Sequence, residues 1–527
     1  MSTMTEDPPA LRRAWTAFRT PARLVALAVA VLTVVAVALG TAYLNRSSCS
    51  AGNMPTACPT DPVGPGGRTV DDHFYFAHRT LTGDGSLTVR LAGMTGVITY
   101  PPPHHDTIVA GLVPWAKVGI IVKDGLRPGS SYAALMRTGR HGVRLQYDYV
   151  HDIAGSPRTA APRWLRLTRT GGTVVGEESA DGRRWRRVGV VRPKHLGARV
   201  DIGLFAASPG DLTLRRVGLG GSLEQVRFTQ VTGTFDHVSL TGATSAHWAA
   251  GPIGEMGQTD WERYHRAPGL VARGGTLAVT GTGDIGPIGE QHAASVGDTL
   301  GGLPLALLLV LIVAARFGAG RGGRRRPAGD GEPGAGGRRY RLARLGVLVV
   351  ATGVAGLVAA AIAVPAGVAA LRAAGSAVIA VPLGTELRVV VGAAALLAAG
   401  AAFGYGLGTW CRRGWLGALV GTVTLLLPYA VGRVPLLPDA VADWLLRLSP
   451  AAGFAVLSSN TRFDQVTAHF APSAGYLPLP WWGGLAVVCG YAAIACWLAL
   501  RPRTAGRPAA NDPVSRTGPG SESGSAT

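Results

Sequence analysis

The sequence predicts a multi-domain membrane protein that combines six transmembrane α-helices with an all-β domain. Only 16% of its 527 residues are charged, whereas soluble domains average about 25%. Six apolar stretches have the length, or nearly the length, needed to cross a bilayer. Between the first two of them lies a long polar segment of short alternating runs broken by Gly, Asp and Pro, a pattern typical of β-strands.

The six predicted spans are residues 24–44, 300–315, 345–371, 389–410, 414–431 and 481–500. We expect the first to be retained, because its apolar run is too long for a signal-peptide core and no A-x-A site follows it. The fourth is rich in Ala and Gly, which suits close helix packing in lipid.

The arginines predict which side of the membrane each loop occupies. Four Arg-containing segments fall on one side if both termini are cytoplasmic: residues 1–23, loop 316–344, turn 412–413 and the tail 501–527. Loop 45–299 then lies outside the cell, where its length exempts it from the charge rule. Topology therefore accounts for the net charge of +20, and we expect no nucleic-acid partner and a disordered tail.

The exterior loop contains regularly spaced strand candidates, which favours a β-sandwich or jelly roll. They are residues 86–94, 117–124, 132–138, 142–149, 163–170 and 199–208, and two strands within 173–191 joined across Asp181-Gly182, a strong hairpin signal. We expect a linker over 45–69, a jelly-roll domain over 70–225, and a second small β region or a stem over 226–299.

Several side chains of this domain are candidates for chemical sites, but we expect none to be catalytic, cofactor-binding or metal-binding. A retaining glycosidase needs two carboxylates about 5 Å apart, but Glu177 and Glu178 are adjacent and point to opposite faces of a strand. His104-His105-Asp106 follows three prolines and is interpreted as a loop, and Asp84 and Asp124 as turn residues. Six aromatic side chains could form a sugar-stacking face, but core packing is favoured: Trp115, Tyr132, Tyr147, Tyr149, Trp164 and Trp185.

Two of the five cysteines, Cys49 and Cys58, follow the first span. An oxidising exterior would favour a disulfide between them, and two free thiols are the alternative. The other three lie in or beside apolar runs, where we expect inert thiols.

Two parts of the chain resemble known families. The segments WAKVGIIVKD (115–124), SYAALM (131–136), GVRLQY (142–147), WLRLTR (164–169), SADGRRW (179–185) and IGLFAAS (202–208) resemble a concanavalin-A-like jelly roll. Because that fold occurs in lectins, the resemblance implies a glycan as a candidate ligand.

The apolar part resembles permease subunits of type-2 ATP-binding-cassette (ABC) exporters of the actinobacterial type, some of which carry a large exterior domain in the first loop. Residues 383–431, 437–460 and 476–500 carry the likeness, and RRAWTAFRTPARL (12–24) resembles the family's interfacial helix. The resemblance implies a re-entrant exterior segment at 436–460, for which an amphipathic surface helix is the alternative. It also implies an ATPase-docking segment that includes Arg12, Arg13, Trp15, Phe18 and Arg19.

Two departures from that family stand out. Ala14 replaces the acidic residue usual before the Trp of the interfacial helix. Loop 316–339 is too rich in Gly and Pro to form the expected docking helix, and resembles a flexible basic linker.

No G-x-x-x-x-G-K-[ST] motif occurs, so we expect a chain that is not itself an enzyme and a separate ATPase subunit that binds ATP. The resemblance implies a second permease subunit, in a homo- or heterodimer. Spans with few charges favour an amphiphilic substrate over an ion. The alternative is a membrane-anchored surface module whose lectin-like domain binds glycan or a cell-wall partner, without transport.

Overall fold

The computed structural model describes residues 10–46, 49–51, 54–56, 60–100, 107–157, 162–245, 247–254, 268–288, 294–320 and 335–501. Within them the chain forms an all-β unit and a bundle of apolar helices. The strands lie between the first and second long apolar helices, as the sequence predicts.

Eight α-helices are described: α1 (Ala10–Phe18), α2 (Pro21–Leu44), α3 (Leu303–Ala319), α4 (Ala335–Ala373), α5 (Leu383–Cys411), α6 (Gly414–Arg433), α7 (Asp439–Leu448) and α8 (Trp481–Leu500). Short 3-10 helices occupy Val296–Leu300, Pro450–Leu457 and Pro472–Ala474. Among the described residues, six helices are long and apolar enough to cross a membrane: α2, α3 with the 3-10 helix before it, α4, α5, α6 and α8. Each contains one of the predicted spans.

A stripe of glycines brings α5 against α3. Gly400, Gly404 and Gly408 recur every four residues, and a side chain at any of them would meet α3 at Leu307, Leu311, Ala314 or Ala315. A Cβ at Gly408 would lie 2.1 Å from the carbonyl oxygen of Ala315, so only glycine fits. Such close backbone approach is how small residues stabilise helix pairs in lipid, as expected from the Ala- and Gly-rich fourth span.

Nineteen strands are described, and fifteen of them form one sheet. They are β1 (Cys49–Ala51), β2 (Met54–Thr56), β3 (Val70–Asp72), β4 (Phe74–Thr99), β5 (Ile108–Ala110), β6 (Lys117–Lys123), β7 (Tyr132–Thr138), β8 (Val143–Tyr147), β9 (His151–Ala154), β10 (Arg163–Thr170), β11 (Thr173–Ser179), β12 (Trp185–Val191), β13 (Arg199–Ala207), β14 (Asp211–Val217), β15 (Gly221–Ala243), β16 (Ala249–Ile253), β17 (Gly269–Arg273), β18 (Thr276–Gly281) and β19 (Ile285–Pro287).

The 26-residue strand β4 organises the sheet. On one edge it pairs with β13 and then β10, and on the other with β16 and β15, always antiparallel. Beyond β10 the sheet continues through β11 to β12. Beyond β13 it continues through β6, β7 and β8 to β9. It folds back on itself, since a side chain at Gly176 of β11 or Gly189 of β12 would meet Leu145 of β8. The result is a near-barrel with a main apolar core and a second, smaller apolar cluster that includes Phe74, Tyr149 and Phe205.

The structure differs from the expectation of a separate β region or stem over 226–299. Strand β15 pairs with β4 from Phe228 opposite Thr99 to Ala243 opposite Leu81, and β18 pairs in turn with β15. The expected boundary therefore falls inside β15. The reason is that β4 offers a second edge, whose backbone groups need partners.

The hairpin signal at Asp181-Gly182 lies between β11 and β12. Gly182 has φ +72°, a conformation that glycine adopts without strain. The Asp181 carboxylate accepts hydrogen bonds from the backbone N–H groups of Arg184 and Arg183 at 2.8 and 2.9 Å. These bonds hold the pKa of Asp181 well below its ordinary value. The connection spans residues 180–184, longer than a two-residue turn.

Two of the three lysines of the chain are buried in the β unit. Lys123 Nζ lies 2.7 Å from Asp72 Oδ2 and 3.0 Å from the hydroxyl oxygen of Tyr149. Lys117 Nζ lies 2.5 Å from Asp284 Oδ1. Desolvation lowers the pKa of Lys123, and the negative charge of Asp72 offsets part of this shift. These pairs bind β3 and the segment before β19 to β6.

Replacing Lys123 by Ala should destabilise the fold by about 3–5 kcal/mol, because it leaves the Asp72 carboxylate buried and uncompensated. The free energy of unfolding would be measured on the full chain in detergent. Lys194→Ala is the matched control, since Lys194 is exposed and its loss should cost less than about 0.5 kcal/mol. Equal stability of the two variants would contradict a structural role for the buried pair.

Candidate functional site

Between α6 and α8 the chain forms a sharply bent helix pair. It consists of α7 and the 3-10 helix Pro450–Leu457, which meet at 102°. The 3-10 helix is buried along its whole length, whereas α7 exposes Val441, Trp444 and Leu448. The 3-10 helix is therefore buried as a re-entrant segment would be, whereas α7 is amphipathic, as a surface helix would be. The predicted segment 436–460 contains this bent pair.

The β unit contacts the helices at the end of the bundle where the bent pair lies. Backbone hydrogen bonds join Thr69 N to Ala380 O at 3.1 Å, just before α5, and Leu219 N to Leu436 O at 3.0 Å, just before α7. The side chain of Gln465 donates to the carbonyl of Val150 at 3.2 Å. The two parts are therefore docked by hydrogen bonds as well as joined along the chain.

A cavity of 430 Å³ lies at this contact, and we call it the junction cavity. The tip of the β14–β15 hairpin, the ends of α6 and of the bent pair, and the segment before α8 surround it. Its lining includes the charged or polar side chains of Glu224, Ser295, Asp298, Tyr429, Arg433 and His469. The Tyr429 ring stacks on Phe454 with centroids 3.8 Å apart, which gives the cavity an apolar wall.

His469 connects three elements at the junction cavity. Its Nε2 lies 2.8 Å from Asp439 Oδ2 at the start of α7, and its Nδ1 lies 3.5 Å from Glu224 Oε1 of β15. The imidazole is buried, with 7% of the side chain exposed. None of the described His, Cys, Asp and Glu residues forms a group able to hold a metal ion. The arrangement therefore suits hydrogen bonding to a polar group and coupling of the hairpin to the bent pair.

At the opposite end of the bundle lies α1, which holds the predicted docking residues. Phe18 is fully buried and meets Phe317 of α3 edge-on, with ring centroids 5.5 Å apart. Arg12, Arg13, Trp15 and Arg19 are exposed. The predicted segment thus divides into one inward anchor and an outward basic and aromatic face. Ala14 is also fully buried, a position where an unpaired carboxylate would be costly.

Phe317 was not singled out from the sequence. The guanidinium carbons of Arg344 and Arg23 lie 4.1 and 4.7 Å from its ring centroid, within cation–π range. Arg344 also donates to the carbonyl oxygen of Gly320 at 3.1 Å. The cluster links α2, α3 and α4, and Phe18 joins α1 to it. Its one sequence signal is an aromatic residue at the start of an Arg-rich loop.

The adjacent carboxylates of the β unit lie in ion pairs. Glu178 is 2% exposed, forms an ion pair with Arg186 and accepts the backbone N–H of Ser156 at 2.7 Å. Glu177 lies 3.7 Å from Arg166 on the other face. The sequence suggested that both carboxylates lie on a solvated flank of the hairpin. This describes Glu177 better than Glu178, whose burial among arginines the sequence did not indicate.

The other candidates of the β unit have structural environments. Asp124 lies in a bend after β6, as expected, whereas Asp84 lies within β4 and not in a turn. Each carboxylate accepts a backbone N–H group from a distant segment, Asp84 from Gly171 at 2.7 Å and Asp124 from Gly197 at 3.0 Å. Half of the aromatic set is in the core: Trp115, Tyr132 and Tyr149 are buried, whereas Tyr147, Trp164 and Trp185 are half-buried.

Some predictions fall outside the described residues. His104-His105-Asp106 and Cys58 are not described, and nor is the side chain of Cys49, so the disulfide stays a prediction. Cys489 and Cys496 are free thiols.

No family model matches the sequence, and no curated protein matches it either. Among solved structures it is similar to a functionally unknown protein from Saccharomyces cerevisiae, with 16% sequence identity over 38% of this chain and 93% of that chain. The TM-score is 0.19, so this likeness supports no conclusion about fold or function.

Replacing His469 by Ala should loosen the β14–β15 hairpin from the bent pair, because it removes both contacts of the imidazole. We expect faster amide hydrogen exchange in residues 436–460 and at the hairpin tip. His247→Ala is the control, since His247 is exposed on the β unit. Unchanged exchange in 436–460 would contradict a coupling role.

Proposed function

We propose that the chain is the transmembrane permease subunit of an ABC exporter, and that it moves an amphiphilic substrate out of the cell with a separate ATPase subunit. The observation that carries the proposal is the bent helix pair between the fifth and sixth apolar helices. Irregular backbone at membrane depth is tolerated where protein buries it, and Pro450–Leu457 is buried in this way.

In this proposal the protein is a multi-pass protein of the cell membrane with both termini in the cytoplasm. Loop 45–299 lies outside, and its near-barrel belongs to the concanavalin-A-like sandwiches. Support comes from the distribution of arginines. The end of the bundle opposite to the β unit holds α1, turn 412–413 and Arg501, and among the described residues it carries more arginines than the end beside the β unit.

The proposed mechanism uses α1 as the element that receives force. An ATPase dimer that closes on ATP would press on the exposed face of α1, which includes Trp15 and Arg19. Phe18 would pass the displacement to Phe317 and hence to α3, the second span. Movement of α3 and α6 in two permease subunits would open a path between them, and the junction cavity would lie at its outer end.

The alternative is a membrane-anchored surface module whose β unit binds glycan or a cell-wall partner without transport. The Gly- and Pro-rich sequence 316–339 favours it, because its composition is that of a poor docking helix, although residues 316–319 and 335–339 belong to α3 and α4. The half-buried Tyr147, Trp164 and Trp185 are the aromatic side chains that remain for sugar stacking, although Arg166 lies 3.7 Å over the Trp185 ring.

Purification of the tagged chain from its native membrane in mild detergent should bring along an ATPase in stoichiometric amount. Trp15→Ala should reduce the recovered ATPase several-fold, because Trp15 is 47% exposed on the outward face of α1. Trp482→Ala is the matched control, since Trp482 is 63% exposed at the other end of the bundle. Absence of any ATPase with the wild-type chain would favour the surface module.

The proposed topology predicts opposite labelling of two exposed arginine positions. On intact cells, a membrane-impermeant thiol reagent should label Arg187→Cys in the β unit, whereas Arg413→Cys should react only after permeabilisation. Unsubstituted protein supplies the background from the native cysteines. The reverse pattern would invert the topology and remove the exporter proposal with it.

A further inference from the structure

A second cavity, of 540 Å³, lies beside the starts of α5 and α8, and we call it the arginine cavity. Four arginines from four separate segments line it: Arg68 before β3, Arg388 of α5, Arg447 of α7, and Arg462 after the bent pair. Since they come from distant parts of the sequence, their convergence is a property of the fold.

The positive charge of this cavity is not balanced by the chain. Asp443 is the one acidic side chain in its lining, and it lies 3.9 Å from Arg447. Within the described part of the chain, no carboxylate lies within 4.0 Å of Arg68 or Arg388. Arg68, Arg388 and Arg447 are half-buried and Arg462 is exposed, and like charges brought together in this way repel one another unless an opposite charge joins them.

Donor atoms in the cavity also lack partners. Among the described residues, neither Arg447 Nε nor Asn460 Nδ2 has a hydrogen-bond acceptor, although both atoms are buried. Buried donors are normally satisfied. An oxyanion in the cavity would accept from them and from the arginine forks, whose geometry matches phosphate.

The surroundings of the cavity point to a lipid as the source of that anion. Trp481, the first residue of α8, lines it, and the Arg388 guanidinium lies 5.9 Å from the Trp481 ring. Tryptophan at a span end lies at headgroup level. Next to Arg388, α5 exposes an apolar stripe at four-residue spacing, which acyl chains could cover: Leu383, Leu387 and Val391, at 68, 57 and 59% exposure.

We propose that Arg68, Arg388, Arg447 and Arg462 bind the phosphate of an anionic lipid headgroup, with the acyl chains along the exposed stripe of α5. The site goes beyond the proposed export function. It requires that the apolar helices lie in a bilayer, but it requires neither transport nor an ATPase.

The test measures lipid retained by the full chain. Wild-type protein and the variant Arg68→Gln/Arg388→Gln would be reconstituted in nanodiscs of phosphatidylcholine with a minor fraction of phosphatidylglycerol. Bound phosphatidylglycerol would be counted by native mass spectrometry after release. We expect retention to fall at least about tenfold in the variant, because two charged donors to the phosphate are lost.

Two controls separate binding from misfolding. Arg412→Gln/Arg413→Gln removes two exposed arginines from the opposite end of the bundle and should leave retention unchanged. Arg388→Lys keeps the charge but loses the fork, so its retention should be intermediate. Melting temperatures within a few degrees of wild type would show that the variants are folded.

A further arm distinguishes the source of the anion. Inorganic phosphate should compete poorly with phosphatidylglycerol, whose chains add apolar contacts. Equal retention in wild type and Arg68→Gln/Arg388→Gln would overturn the site, and efficient competition by inorganic phosphate would overturn the lipid as its ligand. Retention without a co-purifying ATPase would leave the site standing and count only against the exporter.

Discussion

Close contact between α3 and α5 is the constraint on which the helical part depends. In lipid the hydrophobic effect does not hold helices together, so backbone proximity and dispersion must do so. Gly404 and Gly408 provide that proximity towards α3, and Gly406 does the same towards Ala495 of α8. Helix α5 is therefore held on two faces at mid-bundle. The first turns of α5 lie beside the contacts with the β unit, and there they place Arg388 next to Trp481 of α8.

The β unit depends on a comparable constraint, the pairing of β4 along both of its edges. Because β4 pairs with β15 on its second edge, the β14–β15 hairpin is an extension of the main sheet. The tip of that hairpin carries Glu224, which meets His469 at the bent pair. Any displacement of the bent pair would thus act on the sheet through a short and identifiable set of contacts. This arrangement gives either proposed function a physical route between the apolar helices and the β unit.

Local pattern predicted much of the fold, and long-range pairing accounts for most of what it missed. Residues 481–500 and 132–138 have the predicted bounds of α8 and β7, because hydropathy and alternation are local signals. Strand β4 runs through Gly83 and Gly85, which look like a turn in sequence. The burial of Lys117 depends on Asp284, 167 residues away, and no spacing rule predicts such a partner. The bent segment could be predicted because its signal is local in the sequence. The cavities that it lines could not, because residues from distant parts of the chain form them.

The treatment of charge differs between the two parts of the molecule, and the difference bears on function. In the core of the β unit, each buried lysine has its own carboxylate within 2.7 Å, so the chain supplies its own compensation. The arginine cavity gathers four cations around one acidic side chain. Arg68 and Arg388 are half-buried and Arg462 is exposed, so the chain leaves this positive charge to solvent ions or to a bound anion such as the proposed phosphate. The arginine and junction cavities share a wall formed by Ser458, Ser459, Tyr476 and Leu477. An amphiphile that reached the junction cavity would therefore have a cationic surface next to it, on the side where α5 exposes its apolar stripe.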